Sequence, residues 1–407
     1  MAAMEKNNKN LNVPNLRFPE FSGEWDNVSL GDISDITKLA GFEFTQYVQY
    51  EDSGNIIALR GLNCKNGSLD LTDVKYIDNS ILEKLTRSKL YIGDILFTYV
   101  GTVGEVAIIE ENDRFYLAPN VSRIRVEQGY NPYFIKQLIH TKRFYNKIIF
   151  PLIATSSQPA LSMENVRKFS LSIPQESEQG KLAEFLNILD QRISTQKKII
   201  EKYESLIRGL ITCVNNGKIG QCKTVCLREL LTECHEKNSD NHEVCSVSVS
   251  HGVINQVDYL GRSFAAKEVL HYNIVNYGDI VYTKSPTGEF PYGIVKRSNL
   301  DRPVAVSPLY GVYRPVNDYV GIYLHLYFKS PVNTKNYLHR LIQKGAKNTI
   351  NITNQHFLDN KILIPEHGWL EIIVNAASTI EKMIQIECDA LLWLERQKNY
   401  LISKMFI

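Results

Sequence analysis

Two stretches of the chain carry apolar residues at alternating steps of four and three. In the first, Leu182, Leu186, Leu189, Ile193, Gln196, Ile200, Tyr203, Ile207 and Leu210 form one seam with Gln196 as its polar interruption. In the second, Ile373, Ala377, Ile380, Ile384, Glu387, Leu391, Leu394, Lys398, Leu401 and Met405 repeat the steps, interrupted at Glu387 and Lys398. This is the heptad spacing of a helix that meets another helix along one stripe. Lys197, Lys198, Glu201, Lys202 and Glu204 lie mostly off the first seam. A helix of this kind is about 50–55 Å long at 1.5 Å per residue. Its stripe is too narrow to sit inside a globular core, so it wants one helical partner. Two seams of equal length fit an antiparallel pair; the plainer alternative packs each helix on its own globular domain.

The rest of the chain alternates short strands, turns and helices, and it does so twice. A strand-like opening, Val28 to Ile33, is answered by Val225 to Leu230. A turn entering an apolar run, Gly93-Asp94-Ile95-Leu96-Phe97-Thr98, is answered by Gly278-Asp279-Ile280-Val281-Tyr282-Thr283. A strand stopped by proline, Leu171 to Pro174, is answered by Ile362 to Pro365, and a long helical pattern follows each proline. The copies lie about 190 residues apart, far beyond a solenoid period. Leu90 to Ile109 reads as a hairpin turning at Val100-Gly101-Thr102-Val103-Gly104, with Asp279 to Val295 as its counterpart. Asn131 to Phe150 and Val320 to Lys344 read as helical stretches.

At 407 residues the chain has room for two or three domains. Hydrophobic content of 44% and charged content of 22% are ordinary for a soluble globular protein. No run reaches the roughly 18 apolar residues of a membrane span. Met1 to Asn12 is polar and reads as a floppy leader without a signal core, so a cytoplasmic location is expected. Seven cysteines fit a reducing compartment. Cys222, Cys226, Cys234 and Cys245 beside His235 and His242 do not have paired zinc-ligand spacing, so no metal is expected.

The common catalytic signatures are missing: there is no P-loop, no nucleophile elbow and no H-E-x-x-H. Asn131-Pro132-Tyr133-Phe134 resembles the base-gripping motif of adenine-amino methyltransferases, but no glycine-rich cofactor loop precedes it, and the other copy reads Asp318-Tyr319-Val320-Gly321. Pro132 is better read as a helix start. No catalytic residue and no cofactor are expected.

Net charge is only +2, but its distribution is uneven. From Gln128 to Met163 there is no acid, and from Tyr319 to Leu358 there is again none. The windows occupy the same place in the two copies. Carboxylates near a polyanion are repelled, while lysine or arginine at a phosphate releases counterions. One such gap could come from composition; two in register suggest two nucleic-acid faces. The candidate contacts are Lys136, Lys142, Arg143, Lys147, Ser157 and Gln158 in the first copy, and Lys335, Arg340, Lys344, Lys347, Asn348 and Thr349 in the second. His140, His325, His339 and His356 also fall in these windows. The polar tips, Thr155 to Gln158 and Asn348 to Asn351, suit base edges or ordinary turns.

In this order the pieces resemble the specificity subunit of a type I restriction-modification system over nearly the whole chain. They are Val13 to Phe21 with Gly23-Glu24-Trp25, Gly93 to Gly104, Leu161-Ser162 ahead of Ser172-Ile173-Pro174, and Glu178-Gln179 leading into the long helix. The resemblance implies an α+β fold with two similar globular target recognition domains. Each is followed by a long helix, and the two helices form an antiparallel coiled-coil spacer. It implies a leader over 1–23, recognition domains over 24–174 and 222–365, spacer helices over 175–214 and 366–407, and a linker over 215–221. It further implies a non-catalytic subunit that reads a split sequence in double-stranded DNA, one half-site per domain. Its expected partners are modification (methyltransferase) subunits, two in number, and restriction subunits. The second copy departs from the pattern: Glu366-His367-Gly368 replaces the Glu-Gln pair, and Lys284-Ser285-Pro286 replaces the glycine opening the turn. The rival readings are a DNA methyltransferase with a hidden cofactor site and a coiled-coil assembly protein without DNA contact.

Overall fold

The apolar run after Gly93 forms a strand, Ile95–Thr98, that is buried on both faces: Ile95 and Phe97 enter one core and Leu96 enters another. A strand covered on both sides requires a continuous apolar run rather than alternation. It pairs with Val106–Ile108 across the expected hairpin and with Val121–Val126 on its other edge, and Ser34–Lys38 completes a four-stranded antiparallel sheet. The opening strand Asp26–Ser29 does not join this sheet. It pairs with the closing strand Ser170–Ile173.

The second copy has the same topology. Leu231–Glu233, Gly311–Pro315, Ile280–Tyr282 and Val295–Arg297 follow in the same order, and Cys222–Cys226 pairs with Lys361–Pro365. Ile280 and Tyr282 enter one core and Val281 another. The computed structural model describes residues 12–154, 158–257, 269–344 and 350–407. The chain divides into a first compact unit, Met1–Gln196 with Ala390–Ile407, and a second, Lys197–Asp389. Beyond the shared sheet the units differ. The first adds Lys75–Tyr76, Ile57–Leu59 and Phe115–Leu117 as a three-stranded sheet. The second adds the hairpin Cys245–Ser248 with Gly252–Asn255, and the pair Asn273–Val275 with Val304–Val306.

The two heptad seams are continuous helices, Glu176–Asn215 and His367–Met405, of 40 and 39 residues. Each is roughly 60 Å long. Every seam position is buried or half-buried. In the first unit Leu182, Leu186 and Leu189 share a core with Met405 and Phe406, and the Phe406 ring stacks on Phe134 at 5.4 Å. In the second unit Ile207 and Leu210 share a core with Ile373, Ala377, Ile380 and Ile384. Asp190 pairs with Lys398 in the first unit, and in the second Cys388, its thiol pushed up by burial, also feels the Glu204 carboxylate. The two runs are therefore antiparallel.

The expectation of a uniformly narrow stripe needs correcting at the helix ends. There Ala183, Ile211, Val214 and Val374 are buried beside the seam, because sheet and helices as well as the partner helix cover them. Ile193, Ile200, Tyr203, Leu391, Leu394 and Leu401 keep the half-exposure of a single helical contact. Lys398, read as an interruption, supplies the cation for Asp190, whose other oxygen accepts from Gln137 Nε2 at 2.6 Å.

Residues 12–23 pack closely on the first unit. Leu16 N–H donates to Lys404 O at 2.9 Å, and Phe18 meets Phe185 edge-on at 5.8 Å. The Arg17 guanidinium holds the buried Glu178 carboxylate bidentately, at 2.8 and 2.6 Å. Gln179 accepts from Asn131 N–H at 2.9 Å and donates to Pro174 O at 2.9 Å. The Glu-Gln pair at the helix start is thus used inside its own unit: it ties leader, closing strand and helix together. Among the described residues no helix is long and apolar enough to cross a membrane.

Candidate nucleic-acid interface

In the first unit the sheet register brings Lys38, Thr98 and Val121 to one end, since Ser122 faces Lys38 and Val121 faces Thr98. The hairpin turn 99–104 leaves from this end. It is held by Thr98 N–H to Glu105 O at 2.9 Å and Gly104 N–H to Thr98 O at 3.0 Å. Two other segments close on the turn. Gly101 N–H donates to Pro159 O and Leu161 N–H to Tyr99 O, at 2.9 and 2.8 Å. Gly104 packs so tightly under Tyr145 that an added Cβ would lie 2.9 Å from its ring.

Tyr145 belongs to the helical stretch that carries the candidate cations. Asn131 caps its first turns, Pro132–Ile139, by accepting from Tyr133 and Phe134 N–H at 3.0 and 3.1 Å. The Asn-Pro-Tyr-Phe tetrad is therefore a helix start, with proline where its missing N–H costs nothing. Thr141 caps the next segment, Lys142–Phe144, which runs into a π-helical turn, Tyr145–Ile149, and a 3-10 turn, Phe150–Leu152. Lys142, Arg143 and Lys147 are exposed here, and none has an ion-pair partner among the described residues. Gln158 is exposed at the same end of the sheet.

Lys136 has a different environment. It is 9% exposed, and burial lowers its pKa; the charges around it are Asp190, Lys398 and Glu110. It sits on the core face of its helix, so its candidacy as a phosphate contact is withdrawn. The neighbouring His140 is pushed down to about 4 by burial and then by Lys136, and so is neutral near pH 7.

The second unit repeats the design. Asn317 caps Asp318–Phe328 and Ser330 caps Pro331–His339, and Lys335, His339 and Arg340 are exposed. Lys329 pairs with Glu381 at 3.4 Å. His325 accepts from Arg297 N–H at 3.2 Å and is lowered to about 3, chiefly by burial. Ser157, Lys347, Asn348 and Thr349, with the Lys344 side chain, lie outside the described residues. Thr283 closes the second turn as Thr98 closes the first, though the turn is four residues longer: Thr283 N–H donates to Ile294 O at 2.9 Å, while Gly293 N–H donates to Phe290 O at 3.4 Å.

Residues that the sequence reading passed over hold each sheet in shape. Asp94 and Asp279 are both buried. Asp94 accepts from Tyr91 N–H at 2.8 Å and from Arg125 at 2.7 and 2.6 Å; Asp279 accepts from Asn276 N–H at 2.8 Å and from Arg314 at 3.1 and 3.4 Å. The aspartate hydrogen bond and charge raise the arginine pKa in both pairs. Gly-Asp stood in both landmarks, and arginine recurs at matching strand ends, so the duplication itself was the available signal. Lys38 lies over the Tyr99 ring at 5.1 Å, adding a cation and an aromatic at the turn. None of the seven cysteines is in a disulfide, and among the described residues no group of three or more metal-ligating side chains gathers.

The second long helix also has an apolar line away from its seam. Within the second unit Trp369, Ile372, Met383 and Ile386 are exposed, Ile386 at 66%, and their spacing continues in threes and fours through Ala376 and Thr379. Exposed apolar lines of this kind mark contact surfaces.

Residues 22–205 match the family model of the type I restriction modification DNA specificity domain. The putative type I restriction enzyme MjaX specificity subunit of Methanocaldococcus jannaschii is 28% identical over 153 residues, and the match spans 36% of this chain and 36% of that relative. The type I restriction-modification S subunit from M. genitalium superposes with a TM-score of 0.60 at 11% identity, covering 97% of this chain and 99% of that one. A chain solved to explain complex assembly and conformational transition of a type I R-M system gives 0.51 at 14% identity, covering 94% and 97%. Residues 22–205 thus belong to the type I restriction modification DNA specificity domain family, and nearly the whole chain has the fold of the specificity subunits of such systems.

Proposed function

We propose that this chain is the non-catalytic, DNA-reading subunit of a cytoplasmic type I restriction-modification complex. Each copy of the sheet reads one half of a bipartite duplex target, and the helix pair sets the gap. The observation that carries the reading is the repetition of one sheet topology with an exposed, acid-free basic stretch at the same place in both copies. Lysine and arginine there hold phosphates and fix register, while the neighbouring loops contact base edges. Methylation and cleavage fall to separate modification and restriction subunits. Exchanging residues 24–174 for the matching stretch of another specificity chain is expected to alter one half of the methylated target and leave the other unchanged. Mapping methylated adenines in cells carrying the complete system measures this. A change in both halves would refute independent reading.

The exposed line on His367–Met405 offers a seat for a modification subunit, and two such subunits would match the duplicated plan. An apolar helix face with heptad-like spacing suits a helix of that partner. Met383→Glu with Ile386→Glu puts two charges where desolvated contacts are needed. The pair is expected to weaken co-purification of the modification subunit by roughly 2–4 kcal/mol and to leave the fold intact, because both residues are exposed. Undiminished assembly would remove this face from the interface.

A further inference from the structure

Phe150 is 64% exposed, at the point where the basic helical stretch ends. Ile149 beside it is fully buried, and the five-residue π-turn Tyr145–Ile149 lies between the exposed cations Lys142 and Arg143 and the phenyl ring. π-helical turns are rare and concentrate at functional sites, because the extra residue re-aims the chain beyond it. Here the turn keeps Ile149 in the core and delivers Phe150 to the outside. Pro151 then locks the 3-10 turn, and the chain returns through a bridge between Ala154 and Ala160. Tyr145, packed against Gly104, meets the Phe150 ring at 6.3 Å. Leu152 is exposed beside it.

A phenyl group presented beside exposed cations that have no ion-pair partner among the described residues fits one class of ligand better than others. A protein surface that takes up Lys142, Arg143 and Lys147 must supply acids around an apolar pocket. Duplex DNA supplies phosphates and, where a base step opens, flat apolar faces beside them. We propose that Phe150 is an apolar wedge that enters, or stacks on, a base step of the half-site bound by the first unit. It contributes to recognition through the cost of unstacking that step rather than through hydrogen bonds. Apolar side chains inserted in this way unstack and kink the duplex, and the cost depends on the step deformed. The inference rests on the DNA-reading role and adds to it a residue and a mode of contact.

The test uses the complete complex of specificity and modification subunits with duplexes carrying 2-aminopurine at successive positions of the methylated target. Wild-type complex is expected to raise fluorescence several-fold at one step of one half-site. Phe150→Ala should abolish that rise and weaken binding to the target roughly tenfold, with binding to unrelated duplex little changed. Phe150→Trp should keep both. Phe150 is exposed, so neither change threatens the fold. An undiminished rise in Phe150→Ala would overturn the wedge while leaving DNA reading in place. So would a Phe150→Ala chain that no longer assembles with the modification subunit, which would make the ring a protein contact. Failure of the wild-type complex to bind any duplex would overturn the underlying role and the wedge with it.

Discussion

Gly293→Ala is expected to cost the second unit about 4 kcal/mol or more, at the extreme of single substitutions. Gly293 has φ +98°, and a Cβ there would overlap the Thr283 carbonyl oxygen and lie 2.9 Å from its carbon and 3.1 Å from Lys284 Cα. These are backbone atoms, so no side chain can swing aside to relieve the clash. The same carbonyl belongs to the residue whose N–H closes the hairpin onto Ile294 O at 2.9 Å, and moving it breaks the pairing of Ile280–Tyr282 with Val295–Arg297. Gly288, in the same turn, is the control. Its φ is +52° and nothing lies within 4 Å of the added atom, so alanine there incurs only the left-handed conformation, about 1 kcal/mol. Amide hydrogen exchange of peptides spanning 280–298 separates the two variants. Gly293→Ala should exchange far faster than wild type, and Gly288→Ala nearly as slowly. Equal protection in all three would show that the turn does not constrain the sheet.

Much of the architecture was legible because its physics is periodic. The two seams were readable as helices because a one-stripe contact imposes heptad spacing, and both helices run through every seam residue. Ile95–Thr98 and Ile280–Tyr282 were readable because strands covered on both faces need unbroken apolar runs. Strands such as Ile57–Leu59 and Phe115–Leu117 were not. They are three residues long and pair in parallel across a wide sequence gap, so no local period marks them. The breadth of the helix ends was hidden for a related reason. Ile211, Val214 and Val374 lie beside the seam, and only the fold shows that a sheet covers them.

The candidate site was legible in its charge and not in its orientation. The acid-free windows located the exposed Lys142, Arg143, Lys147, Lys335 and Arg340. They could not show that Lys136, six residues before Lys142, lies on the core face of its helix toward Asp190 and Lys398, because those partners are distant in sequence. Glu178-Gln179 stood out as a motif, but its work is internal: one side chain binds Arg17 and the other Asn131 and Pro174. The turn glycines were visible as a pattern in the first copy only. Gly293 was passed over because the second turn is longer and its glycine sits at the far end.

Replacing Lys142, Arg143 and Lys147 together by alanine is expected to weaken binding of the assembled complex to duplex DNA roughly 10²-fold near physiological salt, and about equally for target and unrelated sequences. The reason is counterion release. Each phosphate neutralised by a cation adds about 0.9 to the slope of log affinity against log salt, so removing three contacts should make that slope shallower by about 2.7. All three side chains are exposed, so the fold should be unaffected. Lys136→Met is the contrast: it deletes a cation from the same window while keeping its length, and its ammonium is buried among Asp190, Lys398 and Glu110. It should leave the salt slope unchanged even if it alters stability. Fluorescence anisotropy of labelled duplexes across a salt series measures both. A triple variant with the wild-type slope would mean that these cations face no phosphate, and the basic window would then be a solvated surface rather than a DNA contact. A loss confined to the target sequence would instead make them base-reading groups, with register held elsewhere.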